Sequence, residues 1–413
     1  MAIPFYSIDM SSAEWIAYSK GLIKPFRQRN DIYSPLKNLL KPRFPDHRII
    51  LSSSARLCFY LLLKNGFKPG DEIIFSAMSY PLYVKIALQL QLKPILVDVE
   101  STHLTISPEK LQQAITSATQ GIVVTHLFGH SAQMNKILAI ANKNGLRVIE
   151  DCAQSFDSFH LKQETGTMGW AGIYSCSLMK TPTTLGGGIL ITKDQEIANS
   201  IQSSLQNLET SSGFKGSASY HMKGLISILN SYPLLYSALS HQVFGIIKKR
   251  NPSLLRAILY SGMGMDGEKY VPSERPPLAS YQTRVGAVQF SRCREMTEIR
   301  RRNSKILDEV LQHLPNVQIF KQSSYSYWNY QYHVIDCKSA MESVFNFMFS
   351  KGIHVMKENV WDCTAYQLFD SEITDCEVAN ARNLGLLRIP NNSFLSENQM
   401  NKIADLLVQA LRR

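Results

Sequence analysis

The chain has 413 residues, which is too long for one small core and fits a large catalytic domain with a smaller one. Apolar residues make up 45% of the chain and charged residues 19%, as in an ordinary globular protein. The net charge of +11 suits an anionic membrane surface or a phosphorylated substrate. Nucleic acid is not expected as a partner, because the basic clusters are short and no nucleic-acid-binding motif accompanies them.

The N-terminus and the cysteines indicate the compartment. The first ten residues have neither a basic stretch nor an apolar core, so no signal peptide is predicted. The seven cysteines form no CxxC pair and are odd in number, which favours buried or free thiols over disulfides or zinc. We therefore expect a cytoplasmic protein without a metal site.

The first half of the chain alternates short apolar runs with amphipathic stretches. The runs are rich in β-branched residues and predict buried strands at 72–75, 94–99, 121–127, 146–151, 172–177 and 187–194. Amphipathic segments such as 107–115 and 135–145 predict helices between them. This alternation indicates a mostly parallel sheet with helices on both faces, and ligands bind such sheets beyond the carboxyl ends of the strands.

An apolar insertion at about 217–264 departs from this pattern. Residues 224–247 contain no Lys, Arg, Asp or Glu, and Lys248, Lys249 and Arg250 follow directly. The polar side chains and Pro233 in this stretch argue against a helix that spans a bilayer. Two interpretations remain open: a helix pair buried at a subunit interface, and a peripheral membrane element with a basic flank, 224–250.

The remaining sequence predicts a second domain. Residues 330–337 are typical of a strand, and 339–352 and 403–413 are typical of helices. We expect a large domain over 1–280 and a smaller α+β domain over 281–413, joined through a helix that starts near Ala279.

An acid and a lysine lie at the ends of neighbouring predicted strands. Asp151 ends the strand 146–151, and Lys180 follows the strand 172–177. Pyridoxal 5'-phosphate (PLP) chemistry needs such a pair. The lysine forms an imine with the cofactor aldehyde and shuttles a proton, and the carboxylate keeps the pyridine nitrogen protonated. The ordinary alternative is a surface lysine and an acid that caps a helix.

Several blocks of the sequence resemble the DegT–StrS family of sugar aminotransferases. They lie at 50–80, 92–115, 125–156, 174–180 and 282–290. The clearest is THLFGHSAQMNKILAIANKNGLRVIEDCAQSF, at 125–156. The resemblance covers most of the chain and implies an α/β enzyme of PLP fold type I. Its large domain would have a mostly parallel central sheet flanked by helices, and its C-terminal domain would be smaller and α+β.

The resemblance also implies roles for residues around the cofactor ring. Lys180 would be the Schiff-base lysine, and Asp151 would pair with the pyridinium nitrogen. Gln154 would reach the phenolic oxygen, and Tyr80 would stack on the ring. His126 would contact the ring region. The bland alternatives are that Tyr80 belongs to the core and that His126 is a buried histidine satisfied by hydrogen bonds.

The phosphate end of the predicted site departs from the family pattern. Ser53 and Ser54, which stand where the family has Gly-Thr, would bind the phosphate with the start of the following helix, and Ser175 would add a hydroxyl. Alternatively, the serines are an ordinary helix cap. The family's Lys-Asn step is Lys180-Thr181 here, and its glycine-rich stretch is shortened to 186–188. The family's Asn-x-Arg segment is not recognisable near 273–280.

These features together predict a PLP-dependent transaminase. It would move an amino group from an amino acid such as glutamate to a keto sugar, which we expect to be nucleotide-linked, in surface polysaccharide or amino-sugar biosynthesis. Fold type I sites are usually completed by a partner subunit, so a homodimer is expected. The alternatives are other PLP chemistry on sugars, such as dehydration, and a non-catalytic, membrane-associated member of the fold. The resemblance associates dehydration with loss of the lysine, and Lys180 is present.

Overall fold

The structure is a computed structural model that describes residues 2–4, 7–23, 29–211, 224–229, 231–251, 270, 272, 277–357, 361–365, 376–382 and 385–413. Parts of the apolar insertion at 217–264, and residues 273–276 of the stretch 273–280, lie outside these residues.

A seven-stranded sheet forms the centre of the described part of the chain. Its strands are β1 (Arg48–Ser52), β2 (Glu72–Ser76), β3 (Lys93–Val97), β4 (Thr119–Thr125), β5 (Arg147–Asp151), β8 (Ala171–Ser175) and β9 (Gly188–Thr192). The order is β1-β9-β8-β5-β4-β2-β3. Strands β3, β2, β4, β5 and β8 run parallel, and β9 runs antiparallel to both of its neighbours. The predicted mostly parallel sheet is confirmed.

The strands are apolar on both faces because helices cover both sides. Ile73 and Phe75 point into one core, which the helices at 55–66, 81–89 and 195–211 cover. Ile74 between them points into another core, which the helices at 108–114 and 134–143 cover. The helices are α1 (Ser12–Ile23), α2 (Arg29–Leu40), α3 (Ala55–Gly66), α4 (Pro81–Gln89), α5 (Pro108–Ala114), α6 (Met134–Lys143) and α7 (Gln195–Ser211).

The insertion is helical where it is described. Residues 224–229 are helical, and Pro233 begins a second helix. This helix consists of α8 (Pro233–Leu235), a π-helical turn at Tyr236–Ser240, and α9 (His241–Arg250). Pro233 stands in the first turn of this second helix, where proline is tolerated, and not in a helix interior. Among the described residues, no helix combines the length and the apolar character needed to cross a bilayer.

The C-terminal part has its own sheet and core. Strands β10 (Gln318–Ile319), β12 (His333–Asp336), β13 (Met356–Lys357) and β14 (Leu386–Ile389) pair in the order β10-β12-β14-β13. They pack with α11 (Cys293–Leu311), α12 (Met341–Ser350) and α14 (Glu397–Leu411), and α13 is Glu377–Arg382. Helix α10 (Ser280–Ser291) starts after Ala279, as predicted, and packs against α1 and α2. The predicted boundary at 280/281 stays a prediction.

A small sheet links the two parts next to β5. The hairpin of β6 (Phe159–His160) and β7 (Gln163–Glu164) pairs with β11 (Ser326–Tyr327). This pairing leads into the segment 328–332, in which the Asn329 side chain donates to the carbonyls of Gln154 and Phe156, just beyond the end of β5. All seven cysteines are buried thiols.

Candidate active site

The predicted site residues meet at one edge of the central sheet. Asp151 ends β5 and Ser175 ends β8, and both strands run in the same direction. Gly188, at the start of β9, is the register partner of Ser175 on one side and of Ser52 on the other. The lysine loop and the start of α3 therefore lie at the same edge as Asp151.

The loop after β8 holds Lys180 by backbone hydrogen bonds. The Lys180 amide donates to the Ser177 carbonyl (3.0 Å), and the amides of Thr184 and Gly186 both donate to the Cys176 carbonyl. The Thr183 hydroxyl also donates to the Cys176 carbonyl. The loop is thus folded on itself, and the Lys180 side chain leaves it from a fixed point.

Two residues that the sequence did not identify hold the lysine from the C-terminal part. The Lys180 ammonium nitrogen lies 3.4 Å from the Tyr332 hydroxyl, which donates to the Met179 carbonyl at 3.2 Å. The Gln331 side chain accepts from the Thr181 amide (3.2 Å) and donates to the same Met179 carbonyl (3.3 Å). These contacts join residues about 150 positions apart, and the only sequence signal for them was a strand predicted to begin at 330.

Asp151 is a buried carboxylate that accepts few hydrogen bonds to offset the cost of burying its charge. One of its oxygens accepts from the Ala153 amide at 3.1 Å, and the other has the Thr125 hydroxyl at 3.5 Å. Burial raises the pKa of Asp151 to about 6, against the opposing effects of the Ala153 amide and of the Lys180 charge. An acid in this position favours a cationic partner, such as a protonated pyridine nitrogen.

Gln154 lies one turn beyond Asp151 and is oriented by the backbone. Its carboxamide oxygen accepts from the Phe128 amide at 2.7 Å, and its own carbonyl accepts from the Asn329 side chain at 3.1 Å. Because the oxygen is used in this way, the carboxamide nitrogen points to the other side as a donor. A donor is the group that a phenolic oxygen requires.

His126 is completely buried, and both of its ring nitrogens are engaged. Nδ1 accepts from the Ala132 amide at 3.1 Å, so the ring proton is on Nε2, which donates to Glu150 at 3.1 Å. Glu150 also accepts from three backbone amides, those of Gly166, Met168 and Gly169. Both ring nitrogens of His126 are therefore occupied by hydrogen bonds within the protein, and only the face of the ring is available to a ligand.

The same histidine belongs to a cluster with metal-ligand chemistry. Ligand atoms of His126, Glu150 and Cys152 lie within 4.8 Å of one another. The histidine and the glutamate are already hydrogen-bonded, and burial raises the pKa of the Cys152 thiol well above its usual value. These hydrogen bonds hold the ends of β4 and β5 in place, and the arrangement does not favour a metal ion.

The predicted phosphate end of the site lies where β9 closely approaches the start of α3. Ser54 caps α3, and its hydroxyl accepts from the Leu57 amide at 3.2 Å. A Cβ added to Gly188 would lie 2.2 Å from the Ala55 nitrogen, so only glycine lets the strand pass this helix start. Ser53 is buried beside the cap, and the Ser175 hydroxyl accepts from the Ser177 amide at 3.4 Å. The capping alternative for Ser54 is realised here, and a helix start with flanking hydroxyls also suits a phosphate group.

Tyr80 lies just before α4 and is partly buried. Its ring meets Tyr83 edge-on at 5.3 Å and Trp361 at 6.1 Å between centroids. The neighbouring Ser79 hydroxyl lies 2.8 Å from that of Thr125, which reaches Asp151. Tyr80 therefore lies at the same edge of the sheet, packed on one side against the core.

The fold and the site residues define a class. A mostly parallel sheet that holds a lysine, a buried acid and a helix start at one edge is the arrangement of PLP enzymes of fold type I, and these residues fit PLP. Residues 45–224 match the model of the DegT/DnrJ/EryC1/StrS aminotransferase family. The region contains every site residue predicted above, whereas Gln331 and Tyr332 lie outside it.

The curated relatives resemble part of the chain. The spore coat polysaccharide biosynthesis protein SpsC of Bacillus subtilis is 32% identical over 156 residues, 38% of this chain and 40% of that protein. The L-glutamine:2-deoxy-scyllo-inosose aminotransferase of Streptomyces fradiae is 31% identical over 137 residues, 33% of this chain and 32% of that protein. The match thus spans about two fifths or less of these relatives.

The structural likeness extends over the whole chain. The aminotransferase TlmJ of Streptoalloteichus hindustanus aligns with a TM-score of 0.77 and 15% identity, covering 100% of this chain and 99% of that one. PseC of Helicobacter pylori, an aminotransferase involved in the biosynthesis of pseudoaminic acid, aligns with a TM-score of 0.77 and 15% identity, covering 100% of both. At this identity the likeness shows the fold, and it confirms the predicted fold class.

Proposed function

We propose that the chain is a PLP-dependent aminotransferase that moves an amino group from an amino acid to a keto sugar. The observation that carries this proposal is the pair Lys180 and Asp151, in which a tethered amine and a buried acid with a pKa of about 6 lie at one edge of the sheet. Either residue alone is common, whereas the two together at the ends of neighbouring strands match the needs of one cofactor.

Different residues of the site would bind different parts of the cofactor. Asp151 would hold the proton on the pyridine nitrogen, and the carboxamide nitrogen of Gln154 would donate to the phenolic oxygen. Ser53, Ser54 and Ser175 would bind the phosphate at the start of α3. When bound, PLP supplies an electron sink for the carbon that carries the amine.

Lys180 would move the proton. Its side chain extends from a folded loop and meets the Tyr332 hydroxyl, which donates its own hydrogen bond to the Met179 carbonyl. The hydroxyl oxygen therefore accepts from the lysine nitrogen and aims it, and Gln331 fixes the loop beside it. Tyr332 is in this proposal a positioning residue.

The substrate class is inferred from the relatives and from charge. SpsC is named for spore coat polysaccharide biosynthesis, and the Streptomyces fradiae enzyme is named as an aminotransferase of L-glutamine and 2-deoxy-scyllo-inosose. A net charge of +11 favours an anionic, nucleotide-linked sugar over a neutral one. We propose such a keto sugar as acceptor, glutamate as donor, surface polysaccharide or amino-sugar biosynthesis as the setting, and a homodimer as the working form.

The test is a half-reaction followed by absorbance. Purified protein loaded with PLP is mixed with glutamate, glutamine and alanine in turn, and we expect at least one donor to convert it to the pyridoxamine form. Lys180→Ala should not convert, whereas Lys193→Ala, which removes an exposed lysine after β9, should convert normally. A PLP-loaded protein that no amino acid converts would contradict the transaminase proposal.

A further inference from the structure

Helix α1 and the insertion pack together into one unit on the side of the large domain. The Trp15 indole nitrogen donates to the Tyr232 hydroxyl at 2.8 Å, and the Ile8 amide donates to the Ser231 hydroxyl at 2.9 Å. Ile228 is buried in a cluster with Tyr18. The exposed side chains of these two segments therefore belong to one structural unit.

This unit exposes most of the large apolar side chains that are on the surface. Of the thirteen exposed large apolar residues in the described part of the chain, three lie on α1 and seven lie between residues 226 and 246. The most exposed are Ile23 (77%) and Leu234 (72%). We call these ten side chains the apolar face. Scattered apolar residues need no explanation, but a concentration of this kind marks an interaction surface.

The exposed charges that the structure describes on α1 and on residues 224–250 have one sign. Residues 224–247 contain no charged side chain other than the titratable His241, and Lys248, Lys249 and Arg250 follow. The only acid of α1, Glu14, is buried and accepts from Arg292 at 2.8 Å. The exposed charges that remain on these segments are basic, with Lys20 on α1 and Arg250 at the end of α9.

We propose that the apolar face docks on an anionic membrane surface. The helices concerned are short, α1 with 12 residues and α9 with 10, and they suit lying in the interface better than crossing it. Basic residues beside an apolar surface complement anionic lipid headgroups. A second copy of the chain fits less well, because a two-fold contact through the apolar face would gather the basic residues of both copies in one interface, and the described part of these segments exposes no acid to pair with them.

The test is co-sedimentation of the full-length, PLP-loaded protein with vesicles. Vesicles of equal parts phosphatidylserine and phosphatidylcholine should bind it, vesicles of phosphatidylcholine alone should bind it weakly, and added salt should weaken the binding. Replacing Lys248, Lys249 and Arg250 by Glu should lower the partition coefficient by about fivefold or more for each residue changed. The pair Leu234→Asp and Ile246→Asp should abolish binding.

Matched control variants introduce the same kinds of substitution at exposed positions outside the apolar face. Leu161→Asp alters an exposed leucine on the β6–β7 hairpin, and Lys305→Glu alters an exposed lysine on α11. Both should bind as the unchanged protein does, and circular dichroism should show that every variant is folded. A protein that ignores the anionic vesicles, or that binds both vesicle types equally, overturns the proposal. A vesicle-indifferent dimer that Leu234→Asp and Ile246→Asp dissociate would also overturn it and assign the apolar face to subunit packing. Because the readout is binding, it is independent of the aminotransferase proposal.

Discussion

The side-chain nitrogen of Lys180 lies 3.4 Å from the hydroxyl oxygen of Tyr332, although the two residues are 152 positions apart in the chain. The tyrosine ring is also held by Arg388, because the Arg388 guanidinium lies 3.8 Å from the ring centre. The position of the amine that would perform the chemistry is therefore set by the C-terminal part of the chain.

Tyr332→Phe should lower turnover without weakening substrate binding. A hydrogen bond to a charged group is worth about 1.5–3 kcal/mol, and the length of this one suggests the lower end, which is about a tenfold loss in kcat. Steady-state kinetics separates the effects, since KM for the amino donor should stay nearly constant. If KM rises and kcat does not fall, the tyrosine shapes the pocket and does not position the amine.

Lys180 should be the residue that carries the cofactor. Borohydride reduction in the presence of PLP, followed by peptide mapping, is expected to place the pyridoxyl group on Lys180. Lys180→Ala should lose turnover while its thermal unfolding changes little, because only a side chain of the site is removed. A pyridoxyl group on another lysine would falsify the central assignment.

Asp151→Asn should separate stability from function. Because burial raises the pKa of Asp151 to about 6, the folded cofactor-free chain binds this proton more tightly than the unfolded chain does. The contribution of Asp151 to the stability of the cofactor-free chain should therefore fall by about 3 kcal/mol as the pH rises from about 4 to about 6, and it should remain low above that range.

An asparagine side chain carries no charge, so the substitution removes the cost of burying a carboxylate. Cofactor-free Asp151→Asn should therefore be at least as stable as the parent near neutral pH. Its turnover should fall by about tenfold or more for each 1.4 kcal/mol of transition-state stabilisation that is lost. Urea denaturation at acidic and neutral pH gives the first quantity, and steady-state kinetics gives the second. Near-normal turnover would mean that Asp151 serves only as a cap for the Ala153 amide.

Gly188→Ala should damage the phosphate end of the site. The added Cβ would overlap the backbone of Ser54 and Ala55, so β9 and the start of α3 must separate, at a cost of about 1–3 kcal/mol in the free energy of unfolding. We expect weaker PLP binding in fluorescence titrations. Gly245→Ala, at a position with open space, should leave PLP binding unchanged. Equal PLP affinity in the two variants would argue that the phosphate lies elsewhere.

The sequence was sufficient for the parts of the site that depend on local patterns. Each predicted strand of the large sheet is present within about two residues, because short β-branched runs leave little alternative in a sheet buried on both faces. Asp151 and Lys180 follow from chemistry placed at strand ends. The pairing of β1 with β9, and the antiparallel direction of β9, were not predicted, because strand order is not encoded in the local pattern.

The C-terminal contribution to the site could not be predicted for a related reason. Residues 330–337 were predicted as a strand, but β12 begins only at His333. Tyr330 has a positive φ of 46°, and the irregular backbone around it turns Gln331 and Tyr332 toward the lysine loop. A period-two pattern specifies which residues alternate along a strand and does not specify which loop, a hundred and more residues away, they will meet.

The buried cysteines can report local unfolding of the protein through their reaction with a labelling reagent. Burial raises the pKa of the Cys58 and Cys337 thiols to about 12, so the reactive thiolate is scarce at neutral pH and the side chains are also shielded from reagents. The folded chain should therefore react slowly with a thiol-labelling reagent, at a rate limited by local unfolding. Cys152 lies next to Asp151 and Cys176 in the lysine loop, whereas Cys337 belongs to the C-terminal core. Mass spectrometry that resolves the labelled peptides can thus time the opening of each region separately, and it can measure how far PLP slows the opening around Cys152 and Cys176 relative to Cys337.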